Sequence, residues 1–353
     1  MEDKEKPRYK WDNKNLSVKC RPPNNGKEIT DNNPYIDIDI EQLDHYSEIK
    51  PLDQVPDIMK KNRRGLVKLE IYKMINVTGS PFNYLPLVVL SIAKMRIQLK
   101  TSYPRIAKDK EKNLVLLKEQ IREFAKSRGY ICGFTKIDRR YISEANDDLI
   151  PYDTVIVLGM EMDKDLTMEI PYPGKNSKKL FDFEIYEKSG QEVFKVANFI
   201  RTKGYKCFAR VPADGAIKYP PHAVNAGLGN YGTNGLVITK EFGSRVRWTM
   251  ICMDADIEPD QPRNLHIEEF CSRCRLCQKS CLGQAIPKEA SYWRGAMKRR
   301  VNDKKCWPQF VKYDGCGVCL KVCPFNNQGY DACIKSLQPY YQYDVNQQKV
   351  IKQ

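Results

Sequence analysis

The chain has 353 residues, 41% hydrophobic and 29% charged, with 59 Lys and Arg against 44 Asp and Glu and a formal net charge of +15. That length exceeds a single small module and leaves room for one large or two medium domains. The longest apolar stretch, 85–93, is closed by Lys94 and Arg96 far short of the ~20 residues of a membrane span, and 13 cysteines in a non-secreted pattern point to metal ligation instead of a disulfide framework.

Residues 1–55 are rich in Lys, Asp, Asn and Pro with little periodicity and read as an extended N-terminal arm. The polar N-terminus lacks the apolar core of a signal peptide. The pair Arg63-Arg64 imitates a twin-arginine export signal, but Lys68, Glu70 and Lys73 interrupt the apolar region it needs, so it reads as surface and a cytoplasmic protein is expected. Helical stretches follow at 67–75 and 85–99, broken by Gly79-Ser80-Pro81.

A repeated pattern comes next. Leu114, Leu117, Ile121 and Phe124 fall at helical spacing before Arg128-Gly129-Tyr130 and a short apolar run to Phe134. Val193, Val196, Ala197 and Ile200 do the same before Lys203-Gly204-Tyr205 and a run to Val211. Aligned on Gly, the units match Phe124 with Phe199, Tyr130 with Tyr205 and Cys132 with Cys207, each predicting a helix, a Gly C-cap and a strand. Ser189-x-x-Glu192 reads as a capping box opening the second helix. Between the units, the run from Thr154 reads as a buried strand, so helices and strands alternate in an α/β (α+β) layer architecture.

Residues 226–239 place four glycines, Gly227, Gly229, Gly232 and Gly235, within nine positions, a backbone able to approach a bulky ligand closely. The order of turn before strand excludes a dinucleotide fingerprint, and no Gly-Lys-Ser/Thr follows to make a P-loop. The bland reading is a tight turn into a hairpin over 236–253, turning at Gly243-Ser244.

The strongest signal is Cys271, Cys274, Cys277 and Cys281, spaced C-x2-C-x2-C-x3-C, followed by Cys306, Cys316, Cys319 and Cys323 with Pro324 after the last. Eight thiolates in two sets of four suit two [4Fe–4S] clusters, and in such proteins the fourth Cys of a run ligates the other cluster. Cys271, Cys274, Cys277 and Cys323 are therefore assigned to one cluster, and Cys281, Cys306, Cys316 and Cys319 to the other. Structural zinc is the rival, but zinc sites usually present separated C-x2-C pairs. Two clusters of about −2 each would lower the net charge to roughly +11, still basic enough for an acidic electron donor, an anionic substrate or nucleic acid, although the Lys and Arg are spread along the whole chain as on a solvated surface.

Ala226-Gly-Leu-Gly-x-x-Gly-x-Asn234-Gly-Leu-x-Ile-Thr239, then Glu241-Phe-Gly-x-Arg245-Val-Arg247, then the two cysteine groups in this order, resemble the corrinoid-dependent reductive dehalogenases. Val157-Leu-Gly-Met-Glu161-Met-Asp163 and Phe199-Ile-Arg201-x-x-Gly204-Tyr205 are similar to the same family, over roughly residues 110–330. Epoxyqueuosine reductase, a related tRNA-modifying enzyme, has a similar Ala-Gly-Leu-Gly segment and double-cluster run. The resemblance implies a nitroreductase-like cobalamin-binding domain at 56–260, a ferredoxin-like double-cluster domain at 261–335 and a tail at 336–353. It implies a corrinoid lined by Gly227, Leu228, Gly229, Asn230, Tyr231, Gly232, Asn234 and Gly235. No Asp-x-His-x-x-Gly motif occurs among the three histidines, His45, His222 and His266, which agrees with a cobalt that takes no protein His ligand. Tyr186 matches the family's proton donor, with Arg247 or Arg245 beside it to favour the ionised phenol, and Asp214 sits near the Asp donor of the epoxyqueuosine enzyme.

These residues together predict a cytoplasmic corrinoid and iron–sulfur reductase acting on a small organic molecule, fed by a low-potential donor such as a ferredoxin or flavodoxin. The alternatives are a tRNA-directed epoxide reductase, and an electron-transfer or corrinoid-activating protein with no substrate of its own.

Overall fold

The computed structural model describes residues 106–142, 152–170, 181–212, 217–293, 296–312, 316–337, 341–344 and 349–352. The N-terminal arm, the arginine pair, the helices expected at 67–75 and 85–99, and Asp214 lie outside the described residues.

Helix α1 (Leu114–Ser127) opens at Asn113, whose side chain accepts the Leu116 N–H, and turns Leu117, Ile121 and Ala125 inward. Gly129, at φ 83°, ends it in the left-handed conformation that a residue without Cβ adopts freely, and strand β1 (Tyr130–Lys136) follows. Strand β2 (Thr154–Glu161) is the buried strand the sequence predicted. After α2 (Lys164–Glu169), the second unit repeats the pattern: helix α3 (Phe181–Thr202), Gly204 at φ 85°, strand β3 (Cys207–Arg210).

One boundary differs from expectation. Ser189 does not cap α3; it lies inside a 22-residue helix that begins at Phe181. Its hydroxyl donates to the Ile185 carbonyl at 2.5 Å, a back-bond of the kind Ser makes within helices. Glu192, the other half of the expected box, pairs instead with Arg128 at 2.5 Å.

Helix α4 (Tyr219–Asn225), strands β4 (Gly229–Tyr231) and β5 (Val237–Thr239), and strand β6 (Val246–Met253) complete this portion. The main sheet has order β1-β2-β6-β3, antiparallel at each pairing. The hairpin expected over 236–253 is therefore not formed: β5 pairs with β4, β6 joins the main sheet, and a single Thr239–Gly243 bridge marks the turn between them.

Both faces of the sheet are covered. Ile156, Leu158, Met160, Ile251 and Met253 pack with α1 and α3, whereas Val155, Val157, Trp248, Met250 and Cys252 pack with α4 and the β4–β5 segment. Alternation along each strand assigns these faces, since successive side chains point to opposite sides.

The cysteine segment is built of short pieces: α5 (Ile267–Cys274), α6 (Leu276–Lys279), hairpin β7 (Ser291–Trp293) and β8 (Ala296–Lys298), α7 (Asp303–Lys312), α8 (Val318–Lys321), α9 (Pro324–Asn327) and α10 (Tyr330–Lys335). Arg275, left-handed at φ 50°, turns the chain between α5 and α6, which carry Cys274 and Cys277. Val318 and Leu320 enter the same apolar cluster as α1 and α3, which seats this segment on the sheet portion. A two-stranded ribbon, β9 (Tyr341–Asp344) and β10 (Lys349–Lys352), ends the described chain, and no described helix is long and apolar enough to cross a membrane.

Candidate active site and metal centre

The eight cysteines fall into two groups in space. Cys271, Cys274, Cys277 and Cys323 all line one small cavity, together with Ile238, Phe270 and Phe325. Burial raises the Cys271 thiol far above its ordinary value, and the neighbouring Cys323, Cys277 and Cys274 raise it further. The second set is coupled in the same way: Cys319, pushed up to about 12 chiefly by burial, also feels Cys306, Cys316 and Cys281. Cys277 is the first-quartet thiol that bears on Cys319, so the two groups adjoin there.

Amide groups turn toward these sulfurs. Ala285 N donates to Cys281 Sγ at 3.2 Å, and backbone amides of Val318 and Phe325 stabilise the thiolates of Cys316 and Cys323. Among the described residues no three metal-ligating side chains gather tightly enough for a single ion. Thiolates at the corners of a cubane stand further apart than those around one metal.

A polar clasp holds this segment to the sheet portion. Asn326, 2% exposed, accepts from Ser244 N at 2.8 Å and donates to the Leu320 carbonyl at 2.7 Å and to Ser244 Oγ at 3.1 Å. Gly243 permits the approach, because a Cβ there would strike Asn326 Oδ1 and, at 2.9 Å, the Phe325 carbonyl. Sequence reading missed Asn326 and took Gly243-Ser244 only as the turn of a hairpin.

The Gly-rich segment is clamped by protein on the sides its glycines leave open. A Cβ at Gly227 would meet the Gln261 carbonyl, one at Gly229 the Ile238 carbonyl, one at Gly232 the Ile238 side chain, and one at Gly235 the Arg299 carbonyl at 2.8 Å. Leu228 is buried in the core. Asn230 is committed to the fold: its amide donates to Gly229 O at 2.8 Å and Arg263 O at 2.9 Å and accepts from Leu265 N at 2.7 Å. The glycines are thus explained by close approach within the protein.

Beside Asn230, Tyr231 and Gly232 lies a second, small pocket, lined also by Glu268, Met297, Lys298 and Arg299. Lost hydration, with Arg300 and Lys218 nearby, lowers Lys298 to about 8, and its ammonium lies 5.2 Å from the Tyr231 ring centroid.

Tyr186 and Arg247 are brought together. Arg247, on the β6 face toward α3, donates from Nη1 to the Tyr186 hydroxyl at 3.0 Å, and its guanidinium carbon sits 4.2 Å from the ring centroid. Arg245 is directed elsewhere, to Glu161 at 2.8 Å and the Met162 carbonyl at 2.7 Å. Tyr186, Cys316 and Val322 pack against one apolar cluster, placing the phenol on the side of the sheet that carries the second quartet. His222 is fully engaged, with Nε2 accepting from Asp138 N at 3.0 Å and Nδ1 bonded to Lys218 O at 2.9 Å.

An antiparallel sheet covered on both faces is followed by the cysteine segment, and this order of elements can be compared with known proteins. Among solved structures, one titled as a reductive dehalogenase structure that suggests a mechanism for B12-dependent dehalogenation matches with a TM-score of 0.61 at 18% identity, covering 72% of this chain and 39% of that one. No protein-family model matches the chain. Over 155 residues it is 37% identical to a tetrachloroethene reductive dehalogenase of Desulfitobacterium hafniense, across 40% of this chain and 28% of that protein. Over 167 residues it is 28% identical to an epoxyqueuosine reductase of Atelocyanobacterium thalassa (isolate ALOHA), across 44% of this chain and 52% of that protein. The chain is thus similar in part to reductive dehalogenases and epoxyqueuosine reductases, and its matches span 28% and 52% of these two relatives' lengths.

Proposed function

We propose that this chain is a corrinoid- and iron–sulfur-dependent reductase of a small organic substrate, nearest in chemistry to a cytoplasmic reductive dehalogenase. In this reading 56–260 is a nitroreductase-like corrinoid and substrate domain, and 261–335 is a ferredoxin-like domain. The observation that carries it is the cavity lined by all four thiols of the first quartet, of which Cys323 lies more than forty positions beyond Cys277.

The thiols fit iron–sulfur clusters: they are buried, mutually repelling as thiolates, and faced by amide donors. The assignment is Cys271, Cys274, Cys277 and Cys323 for one cluster and Cys281, Cys306, Cys316 and Cys319 for the other. The corrinoid rests on kinship, with the 230–232 backbone, Lys298 and Arg299 available to one edge of it. When bound, the clusters supply single electrons at low potential and the corrinoid supplies a strongly reducing nucleophile.

The chain's own residues handle the proton. The Tyr186 hydroxyl is the donor, held by the Arg247 guanidinium, which also stabilises the phenolate left after transfer. Electrons come from a low-potential donor, for which the basic surface offers charge complementarity.

Anaerobic reconstitution with iron, sulfide and cobalamin, followed by metal counting and EPR, tests the reading. About eight irons per chain are expected. Cys277→Ala should impair one cluster and Cys319→Ala the other. Tightly bound zinc, or about four irons after complete reconstitution, overturns it. Steeply salt-sensitive tRNA binding would move the substrate to the epoxyqueuosine side of the family.

A further inference from the structure

The turn of the β4–β5 hairpin forms one wall of the first-quartet cavity. It is closed by Gly232 N to Leu236 O at 2.8 Å and Gly235 N to Gly232 O at 2.9 Å, and it presents Thr233 and Asn234 to the cavity. The Thr233 backbone amide already stabilises the Cys271 thiolate. Asn234 is 3% exposed.

Its amide orientation is fixed by its neighbours. Oδ1 accepts the Leu236 N–H at 3.1 Å, and a flipped amide would set NH2 against N–H. Nδ2 is therefore a donor, and it is buried with no hydrogen-bond partner among the described residues. A buried donor is costly unless something accepts from it. The other non-cysteine walls of the cavity are apolar (Ile238, Phe270, Pro324 and Phe325) apart from Thr233 and the cationic Arg275. Sulfur is the acceptor this cavity can supply.

We propose that Asn234 Nδ2 donates a hydrogen bond to a sulfur of the cluster that Cys271, Cys274, Cys277 and Cys323 hold, and so raises the reduction potential of that cluster alone. This rests on the reading of those cysteines as cluster ligands. Reduction adds one electron to the cluster, delivered by the low-potential donor, with no bond made or broken. The added negative charge spreads onto the sulfurs, so a donor stabilises the reduced form more than the oxidised form. Asn234 acts through the cluster and is a tuning residue, not a catalytic one.

The test is an EPR-monitored redox titration of the full chain, reconstituted anaerobically, with iron counted in each preparation. Asn234→Ala removes the donor without adding charge. Asn234→Asp also removes it but keeps an acceptor for the Leu236 N–H, so the turn survives if Ala disturbs it. Both variants should retain about eight irons. One cluster should become harder to reduce, its reduced-to-oxidised ratio at fixed poise falling roughly tenfold, which is 59 mV for a one-electron couple, while the other stays put. An unchanged potential in the Ala variant at full iron content overturns the proposal, even if Asp shifts it, because Asp brings its own charge. A shift in both clusters also overturns it, as would an unchanged potential in Asp if Ala fails to load iron. Failure of the unsubstituted chain to load iron would instead overturn the cluster reading itself.

Discussion

Phe124 and Phe199 stack with ring centroids 4.4 Å apart and planes within 5°, joining the two helix–Gly–strand units at matched positions. The matched tyrosines cross reciprocally. Tyr130 donates to the Ser189 carbonyl in α3 at 2.5 Å, and Tyr205 donates to the Glu111 carbonyl just ahead of α1 at 2.6 Å. Their strands β1 and β3 occupy the two edges of the main sheet, with β2 and β6 between. The repeated letters therefore mark matched positions at which the two units contact one another.

Phe124→Leu and Phe199→Leu should each lower stability, and the pair should be coupled. Stacked aromatic pairs contribute ~0.5–1.5 kcal/mol beyond their buried area. A double-mutant cycle from urea denaturation reads this directly. Strict additivity would mean that the rings share a helix interface without supporting one another.

What the sequence made legible depended on how local its cause was. Gly129 and Gly204 end their helices through their own backbone freedom, so both C-caps were readable. The shared pocket of Cys271, Cys274 and Cys277 was readable because these residues stand only three positions apart in sequence. The start of α3 was not, because Ser189 bonds back to Ile185 within a helix just as it could have capped one. The place of β6 between β2 and β3 depends on pairing with strands that lie far earlier in the chain, β2 more than eighty residues before it and β3 forty or more, and nothing at 236–253 announces it. The glycines at 227–235 were read as allowing close approach of a bulky ligand, whereas the atoms that crowd them, from Gln261, Ile238 and Arg299, belong to the protein and are brought there only by the fold.

His222 ties stability to pH. It is fully buried, and burial holds its pKa below the ordinary 6.5, with Arg140 adding repulsion against the raising effects of the Lys218 carbonyl and Asp138. Nε2 must keep its lone pair to accept from Asp138 N, so protonation also costs a hydrogen bond. The folded pKa lies below the unfolded one, so the unfolded chain binds the extra proton. The His222 contribution is complete above about pH 6.5 and is lost as pH falls toward the depressed folded value. Urea midpoints should drop between about pH 7.5 and about pH 5.5 more steeply in the unsubstituted chain than in His222→Gln. Parallel profiles would remove His222 as the cause.

Tyr186→Phe keeps the ring under Arg247 and removes only the hydroxyl. Loss of a positioned proton donor should lower kcat by ~10²–10⁴ on whichever organohalide the reconstituted protein reduces, with iron content and Tm unchanged. Arg247→Gln should lower kcat as well, because the hydroxyl loses the 3.0 Å donor that holds it. Full activity in Tyr186→Phe would move proton donation to another group. If Arg247→Gln instead raises KM at constant kcat, the guanidinium serves substrate binding.

Gly229 separates a glycine needed by the fold from one needed by a cofactor. It pairs with Thr239 in the β4–β5 ribbon, and a Cβ would collide with the Ile238 carbonyl and, at 2.7 Å, with Val237 Cγ1. Its φ is not in the left-handed region, so overpacking is the cost of a side chain here, not backbone strain. Gly229→Val should therefore destabilise by ~1–3 kcal/mol, more than Gly229→Ala, in the cobalamin-free and cobalamin-supplied protein alike. The damage should spread to the cysteine segment, since the adjacent Asn230 anchors Arg263 and Leu265 on the approach to α5. The deciding quantity is the cobalamin Kd measured on the folded, cluster-loaded fraction of Gly229→Ala. An unchanged Kd with a lowered Tm assigns the glycine to the hairpin; a lost Kd at an unchanged Tm would set it against the corrinoid instead.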